Sequence, residues 1–468
     1  MSGTAVLLCS GTGLAGRIAD AVLVDDLCTR PAAAAAALRE AGATRAVLGL
    51  CDRQPSSELL HALRAAGAVP FGIEAAVLGT RSPAEAGLLV AALRAKLDAL
   101  ATEDRGRPML VGGGLSRRSL LRLSPAVTRT PVAVVDEAEC VGSDRCGLCG
   151  NACPVGAIDL RGSVPVVDEV ACDACGRCVP RCPRGAVRLA GASTAQLEAQ
   201  LDVLVPAVPG VVIACRSADV DAPDGWPVVR LPTLGLVSAG WFLQLAARGA
   251  SVRLAPCAEE CLGEARDAER FAADVVHAAG DPRGGPELRL RLDEPRASAD
   301  AVRLLARPER PFLLVDDASP LGVLELLPGR CTVCGACATA CPTDALVLET
   351  DRAAVALRHD PAACVACGRC AEVCPEGSLR VTRAVDSERL RRGPFELAVA
   401  EVEACAVCGD DLPPLPMRLR LRDLLPGVAA ATPLELCAAC AAARPAYDRT
   451  SSSDTRGMRD GREGNGGG

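Results

Sequence analysis

Residues 331–348 read CTVCGACATACPTDALVL, and the same arrangement of cysteines returns in residues 364–381, CVACGRCAEVCPEGSLRV. In both segments three cysteines stand three residues apart, a fourth cysteine followed by proline comes four residues later, and an alternating apolar stretch ends the unit. Residues 172–189, CDACGRCVPRCPRGAVRL, repeat this pattern, and residues 140–160, CVGSDRCGLCGNACPVGAIDL, repeat it with a longer first gap. The four segments form two pairs, so the chain contains an internal duplication that is itself duplicated.

The spacing C-x2-C-x2-C-x3-C-P is typical of bacterial ferredoxins, in which three closely spaced thiolates bind one [4Fe-4S] cluster and the fourth cysteine binds the neighbouring cluster. The proline removes a backbone donor and turns the chain away after the fourth ligand. The pattern therefore predicts four [4Fe-4S] clusters, two in each pair, with crossed ligation. The predicted ligands are Cys140, Cys146, Cys149 and Cys182 for cluster A, Cys172, Cys175, Cys178 and Cys153 for cluster B, Cys331, Cys334, Cys337 and Cys374 for cluster C, and Cys364, Cys367, Cys370 and Cys341 for cluster D.

The first segment departs from this spacing, because five residues separate Cys140 from Cys146 and Ser143 stands where a cysteine is expected. Two interpretations are open. Either Ser-Asp-Arg is an insertion and Cys140 remains a ligand, or the site has lost a ligand and holds a damaged or three-iron cluster. The flanking sequence favours the insertion, since an aspartate stands four residues before Cys140, as it does before the first cysteine of the second and fourth segments.

Four further cysteines lie near the carboxyl end, as Cys-x2-Cys-Gly from Cys405 and as Cys-x2-Cys from Cys437. Two such pairs supply four thiolates to a tetrahedral metal ion, which is the pattern of a structural zinc ribbon. A rubredoxin-like iron site and free thiols are the alternatives. The predicted zinc ligands are Cys405, Cys408, Cys437 and Cys440.

The composition narrows the class of function. The chain has 468 residues, of which 26 are cysteine and 3 are histidine, and its formal charge is -7. No basic stripe indicates nucleic-acid binding, and no apolar run approaches the roughly 18 residues of a membrane helix. We therefore expect a cytoplasmic protein, where clustered cysteines bind metal more often than they form disulfides. His61, His277 and His359 lie apart from any partnered nucleophile, so we predict no catalytic residue and expect solvated or capping histidines.

Three cysteines of the amino-terminal region, Cys9, Cys28 and Cys51, each follow an apolar run that is predicted to be a strand. The ends of such strands meet at one edge of an alternating α/β sheet, so the thiols either converge on a ligand or are simply buried. Residues 66–74, AGAVPFGIE, resemble a motif in the amino-terminal domain of the heterodisulfide reductase A subunit. That domain binds an iron-sulfur cluster, so the resemblance implies that these three cysteines are candidate ligands.

The same family has a flavin domain next in the chain. Residues 108–121, PMLVGGGLSRRSLL, keep Gly112 and Gly114 of its phosphate-binding turn, but Arg117 replaces the third glycine. That glycine must be small for close helix packing, and the first ferredoxin-like segment starts too soon afterwards for a complete dinucleotide domain. The earlier SGTGLAG is also followed too soon by the next predicted strand for a crossover helix. We therefore expect glycine-rich turns here and no FAD or NAD site.

The remaining cysteines, Cys215, Cys257 and Cys261, lie between the two pairs of segments. The surrounding sequence predicts strand, strand, helix and strand, which indicates a small α/β domain. This order resembles the delta subunit of methyl-viologen-reducing hydrogenase, which carries a [2Fe-2S] cluster. Thr233 stands at about the place of another cysteine of that family. The resemblance therefore leaves two alternatives, an additional iron-sulfur cluster or a docking domain that has lost its cluster.

The whole chain predicts a multidomain α/β plus α+β protein. We expect an electron-transfer subunit that docks onto a hydrogenase, formate dehydrogenase or heterodisulfide-reductase-like complex. A catalytic oxidoreductase subunit that reduces a disulfide or a nucleotide cofactor, and an iron-sulfur redox sensor, are the alternatives. The predicted regions are 1–130, a heterodisulfide-reductase-A-like α/β domain with a flavin-domain remnant; 131–190, the first dicluster module; 191–325, a hydrogenase-delta-subunit-like α/β domain; 326–385, the second dicluster module; 386–448, a zinc-ribbon-like domain; and 449–468, a disordered tail.

Overall fold

The computed structural model describes residues 3–101, 107–110, 127–280, 288–292, 294–351, 354–425 and 433–443, and only the backbone of residues 107–110, 127–129 and 260. Within these ranges the chain is a mixed α/β protein of several small sheets that follow one another along the sequence. The turn at Gly112, Gly114 and Arg117 and the predicted tail at 449–468 lie outside the described residues. Among the helices of the described part, none is both long and apolar enough to cross a membrane.

A parallel four-stranded sheet forms the amino-terminal region. Its strands are β1 (Thr4–Cys9), β2 (Ala21–Val24), β3 (Arg45–Leu50) and β4 (Ile73–Val77), in the order β2-β1-β3-β4, and its helices are α1 (Pro31–Glu40), α2 (Ser57–Ala65) and α3 (Pro83–Asp98). Strands β1 and β3 are almost entirely buried, which explains their unbroken apolar sequences. A 3-10 turn (Ser10–Thr12) follows β1, so the expectation of a glycine-rich turn at SGTGLAG is confirmed.

Short antiparallel ladders surround the first pair of cysteine segments. The elements are β5 (Arg107–Leu110) paired with β6 (Val127–Thr130), β7 (Ala133–Val135) paired with β10 (Val187–Leu189), β8 (Ile158–Asp159) paired with β9 (Val166–Val167), and the one-turn helix α4 (Leu148–Asn151). The pairing of β7 with β10 joins the two ends of the module, so both cysteine segments lie within one closed stretch of chain.

A parallel three-stranded sheet lies between the two modules. Its elements are α5 (Thr194–Leu204), β11 (Gly210–Cys215), β12 (Val228–Leu231), α6 (Ala239–Ala247), β13 (Ser251–Ala255), α7 (Gly263–Ala279) and α8 (Pro295–Leu305), with the strand order β12-β11-β13. The predicted order of strand, strand, helix and strand is therefore confirmed. Trp241 and Phe271 fill the core, and α3 of the amino-terminal region packs along α5. Cys215 ends β11 and Thr233 follows β12, so both residues lie at the carboxyl edge of this sheet.

Antiparallel strands surround the second pair of cysteine segments. The elements are β14 (Leu313–Val315), β15 (Gly322–Leu326), α9 (Ala336–Thr339), β16 (Leu346–Thr350), β17 (Ala354–His359), α10 (Arg369–Glu372), β18 (Leu379–Asp386), α11 (Ser387–Arg392) and β19 (Phe395–Glu401). The strand orders are β14-β18-β15 and β16-β17-β19. Cys337, Cys341 and Cys370 belong to the buried core of this module. Cysteines therefore share this core with leucine, valine and alanine side chains.

The expectation of solvated or capping histidines is wrong for one of the three. His61 and His277 are exposed, but His359 at the end of β17 is 1% exposed and packs edge-on against Phe395. The alternation of β17 directs His359 inward, where burial lowers its pKa to about 4. This histidine therefore stays neutral near pH 7 and is part of the core.

The carboxyl-terminal cysteine pairs lie beyond β19, with helices α12 (Leu415–Leu424) and α13 (Ala438–Ala443). A single bridge between Ala404 and Asp411 closes the loop that carries the first pair. Arg418 of α12 is buried, and its guanidinium donates to the carbonyl oxygens of Pro413 and Leu434 and pairs with Glu403. Because Glu403 precedes the first cysteine pair and Leu434 precedes the second, this arginine holds the two pairs together.

Candidate metal centres

The loops of the four cysteine segments share an unusual backbone. The glycine after the second cysteine has a φ of +87°, +78°, +78° and +81° in the four segments, at Gly147, Gly176, Gly335 and Gly368. A left-handed conformation at this point suits glycine, because it has no Cβ to clash. The turn after the fourth cysteine is also left-handed in every segment, at Gly156, Gly185, Asp344 and Gly377. The repeated spacing therefore encodes one repeated loop geometry.

The first segment differs in one place. In the other three segments the residue before the second cysteine has a left-handed φ although it is not glycine, at Ala174, Val333 and Ala366. In the first segment Arg145 holds that position and has no such conformation, while Gly142 has a φ of +92°. The longer gap therefore changes the path of the loop before Cys146 and leaves the path after it unchanged.

Cys140 occupies the same place in its loop as the first cysteines of the other segments. The carboxylate of Asp136 accepts the N–H of Ala138, as Asp168 does from Val170. The N–H of Gly142 donates to Cys140 Sγ at 3.4 Å, and the N–H of Val333 donates to Cys331 Sγ at the same distance. These contacts favour the interpretation that Ser-Asp-Arg is an insertion and that Cys140 is kept as a ligand.

The cysteines of the second module gather in two crossed groups of four. One small cavity is lined by Cys331, Cys334, Cys337 and Cys374, and another by Cys341, Cys364, Cys367 and Cys370. Each group takes three cysteines from one segment and its fourth from the other segment. These are the two sets that the spacing predicts for clusters C and D.

The first module brings its cysteines together in a similar way. The thiol of Cys149 interacts electrostatically with Cys182, Cys146 and Cys140, which are its predicted partners in cluster A. Cys178 interacts with Cys175 and Cys172 of cluster B and also with Cys149, so the two groups are neighbours. Cys153, Cys172 and Cys178 all border one extended apolar core that also runs through the central domain, so the place of Cys153 in the set for cluster B stays a prediction from the spacing.

The chemistry of these four groups fits [4Fe-4S] clusters. Soft thiolates are the ligands that such clusters use, and each thiolate binds a different iron, so the sulfurs of one group lie farther apart than around a single ion. The hydroxyl of Ser143 is buried without a hydrogen-bond partner among the described residues, beside the group of cluster A. Among the sixteen cysteines only Cys334 is exposed.

Burial raises the pKa of ten of the sixteen thiols in these groups, whereas at Cys374 hydrogen bonds from Ser378 outweigh burial and lower the pKa. A thiolate is poorly solvated away from water, so desolvation raises the pKa of a buried thiol. Cluster binding must therefore release protons, and iron must supply the positive charge that stabilises the thiolates. The pKa values that burial raises most are about 11 for Cys149 and Cys337 and about 12 for Cys178, Cys364 and Cys370.

The four carboxyl-terminal cysteines form a tighter group. The Sγ atoms of Cys405, Cys408, Cys437 and Cys440 all lie within 4.8 Å of one another. The Sγ atoms of Cys408 and Cys437 are 3.7 Å apart, and a tetrahedral zinc with Zn–S bonds of about 2.3 Å places its sulfurs about 3.8 Å apart. The group therefore has the size of a single-ion site.

The affinity of this group for zinc should depend on pH in two regimes. Backbone N–H groups of Cys408, Cys437 and Val407 donate to Cys405 and lower its pKa to about 6. Below that pH a proton competes for Cys405 in addition to those that compete for the other thiols. Each decrease of one pH unit should therefore lower the zinc affinity by about ten times more below pH 6 than the same decrease does above pH 6. Chelator competition from pH 5 to 7.5 measures this change.

The pH at which this slope changes, called the break below, can be tested with substitutions of Val407. Val407→Pro removes one donor to Cys405 and should move the break to a higher pH, whereas Val407→Ala keeps the backbone N–H and should leave it in place. A constant slope through pH 6 in the unmodified protein would contradict the prediction.

The six other cysteines form two groups of three. Cys9, Cys28 and Cys51 lie within 4.8 Å of one another at the carboxyl edge of the amino-terminal sheet, and Cys215, Cys257 and Cys261 do so at the edge of the central sheet. The amino-terminal thiols therefore do converge, and their role as cluster ligands stays a prediction. Thr233 is directed to the first module, where its hydroxyl donates to the carbonyl of Cys175 at 3.2 Å.

Sequence reasoning missed the contacts between the two modules. Arg145 and Asp144 of the first segment lie against Cys341 and Asp344 of the third and Arg369 of the fourth. Contacts between distant segments leave no spacing pattern of their own. The lengthened gap before Cys146 was the signal that could have drawn attention to them.

Comparison with protein families agrees with this geometry. Residues 165–188 match the 4Fe-4S binding domain and residues 330–378 match the 4Fe-4S dicluster domain. A comparison with curated proteins finds no relative that matches the chain. The protein thus contains ferredoxin-type 4Fe-4S domains in both modules, and the first segment, with its longer gap, lies outside the matched residues.

Proposed function

We propose that the protein transfers electrons through four [4Fe-4S] clusters, A to D, held by the crossed cysteine sets. The observation that carries this proposal is the pair of cavities in the second module, each lined by the four cysteines of one predicted set. The same spacing in the first module supports clusters A and B. When bound, the clusters accept and donate single electrons, and the protein sets their potentials through hydrogen bonds, charge and burial.

The proximity of the groups supports an order for the clusters. Cys178 of cluster B interacts with Cys149 of cluster A, and Cys370 of cluster D interacts with Cys337 of cluster C. Between the modules, Cys146 of cluster A interacts with Cys367 of cluster D. We therefore propose a single relay in the order B, A, D, C.

The central domain lies beside the B end of this relay. A cleft of about 1170 Å³ is lined by both Cys175 and Cys261, so the central group of three cysteines and cluster B share one opening. Gly235 also packs closely against the first module, where an added Cβ would lie 2.1 Å from the carbonyl oxygen of Cys175. The proposed role of this domain is to guide electrons between a partner and cluster B.

We further propose that the chain is a subunit of a larger complex of the hydrogenase, formate dehydrogenase or heterodisulfide-reductase-like type. The support is the pair of parallel sheets, each of which brings three cysteines to one edge. We keep the domain boundaries that the sequence predicts. The proposed zinc ligands are Cys405, Cys408, Cys437 and Cys440. An additional iron-sulfur cluster at either group of three is the alternative to the count of four clusters, and it would raise the iron content above about sixteen irons per chain.

Disulfide reduction is a second candidate function, favoured by one observation. Cys257 is exposed, its Sγ lies 2.9 Å from that of Cys261, and a hydrogen bond from Cys261 lowers its pKa. A thiolate with a neighbouring resolving thiol is the arrangement of redox-active cysteines. Loss of disulfide reductase activity in Cys257→Ser, with unchanged iron content, would support this function; unchanged activity would exclude this dithiol.

Metal analysis tests the main proposal. Protein purified without oxygen should contain about sixteen irons, as many sulfides and one zinc per chain, because each of four clusters holds four irons. Electron paramagnetic resonance should show interacting [4Fe-4S] centres after reduction. About twelve irons would mean an empty site, more than sixteen would place iron in the groups of three, and protein without iron would overturn the proposal.

A further inference from the structure

Residues 143–145, the Ser-Asp-Arg insertion of the first segment, lie where the two modules meet. Arg145 Nη2 donates to the carbonyl oxygen of Cys341 at 2.8 Å and lies 3.3 Å from the carboxylate of Asp344. In the opposite direction, Arg369 Nη2 donates to the carbonyl oxygen of Asp144 at 2.8 Å. Each module therefore donates a guanidinium hydrogen bond to the backbone of the other.

All of these contacts join the loops of two particular clusters. Asp144 and Arg145 lie between Cys140 and Cys146 of the set for cluster A. Arg369 lies between Cys367 and Cys370 of the set for cluster D, and Cys341 completes that set. The remaining ion pair at the junction, Arg184 with Asp344 at 3.8 Å, joins the turns that follow Cys182 and Cys341.

The junction is partly shielded from water. The Nε atoms of Arg145 and Arg369 and the hydroxyl of Ser143 are buried and have no hydrogen-bond partner among the described residues. Buried polar groups normally find a partner, and these three groups belong to the loops that carry the predicted ligands of clusters A and D. The thiols of Cys146 and Cys367 interact across the same junction.

Ligation alone does not require the insertion. Removing residues 143–145 from CVGSDRCGLC leaves CVGCGLC, which is the spacing of the other three segments. Those segments form the same loop after their second cysteine without any insertion. The three residues therefore add contacts to the other module and no ligand to their own.

We propose that the Ser-Asp-Arg insertion is a docking element that fixes cluster A against cluster D and lets electrons pass directly between the two modules. The inference rests on the proposed function. In the step itself one electron leaves reduced cluster A, which becomes oxidised, and enters oxidised cluster D, which becomes reduced. No bond forms or breaks, and no proton moves.

The test compares full-length chains that differ at the junction. Deletion of residues 143–145 should keep about sixteen irons per chain but remove the magnetic interaction between clusters A and D, so that the reduced protein shows two separate pairs of interacting centres. Arg145→Gln should speed amide exchange in residues 341–344 about tenfold or more, because a lost charged hydrogen bond favours local opening by at least that factor. Arg161→Gln is the matched control, since its ion pair with Asp159 is on the surface of the same module.

The outcomes separate this inference from the proposed function. If the unmodified protein holds no iron, the proposed function fails. If the deletion keeps its iron and retains both the magnetic interaction and the slow exchange, the docking role is wrong. If the deletion loses cluster A, Arg145→Gln decides, because it leaves the cysteine spacing intact, and exchange equal to that of Arg161→Gln would refute the proposal.

Discussion

Replacing Cys341 with alanine should remove cluster D, although Cys341 belongs to the segment that supplies three ligands of cluster C. Cys341 lines the cavity of Cys364, Cys367 and Cys370, and the other cavity is lined by Cys374 in its place. The iron content should fall by about four atoms of about sixteen, and transfer beyond cluster A should stop. Thr339→Ala, a change in the same segment that removes only a hydroxyl bonded to Gly335, should leave the iron content unchanged.

Pairs of substitutions reveal which cysteines share a cluster. Cys341→Ala combined with Cys364→Ala should lose no more iron than either change alone, because both remove cluster D. Cys341→Ala combined with Cys331→Ala should lose about eight irons, because the two changes remove different clusters. The opposite result, with eight irons lost in the first pair and four in the second, would show that each segment binds its own cluster and that crossed ligation is wrong.

Removing the iron should unfold the second module and leave the amino-terminal sheet folded. The core of the second module contains Cys337, Cys341 and Cys370 among a few leucine, valine and alanine side chains. A unit of this size buries too little apolar surface to fold with a large margin. Metal binding in small domains is worth on the order of 10 kcal/mol, comparable to the whole stability of a typical domain.

Amide exchange before and after anaerobic chelation measures this effect. Residues 331–381 should lose their protection when iron is removed, and β3, whose residues are buried by the parallel sheet, should keep it. Readdition of iron and sulfide should restore the original pattern. Protection that persists in residues 331–381 of iron-free protein would show that the module folds by its own packing.

Local loops and strands could be predicted from the sequence, whereas few contacts between distant segments could be. Cysteine spacing and a following proline determine the conformation of a loop, so the crossed sets at Cys341 and Cys374 followed from a repeated motif. Alternating apolar runs likewise located the parallel strands that end near Cys9 and Cys215. Both kinds of signal act over a few residues.

The contacts that sequence reasoning missed join residues far apart in the chain. Arg145 and Cys341 are 196 positions apart, and Asp144 and Arg369 are 225 apart. Such contacts depend on how complete modules pack, and a single sequence has no periodicity at that range. The burial of His359 was missed although the alternation of β17 directs it inward, and the ring of Phe395 that it packs against lies on another strand.

The exposure of Cys334 gives a partner protein access to cluster C, and it also gives dioxygen access. Fifteen of the sixteen cysteines in the four predicted sets are at least partly covered, whereas Cys334 of cluster C, at one end of the proposed relay, is open to solvent. Because this side of cluster C is open to solvent, dioxygen can reach it as well as a protein acceptor. Reduced cluster C would then lose electrons to dioxygen when no acceptor is bound. An acceptor that binds over Cys334 would therefore exclude dioxygen from cluster C while it accepts the electrons.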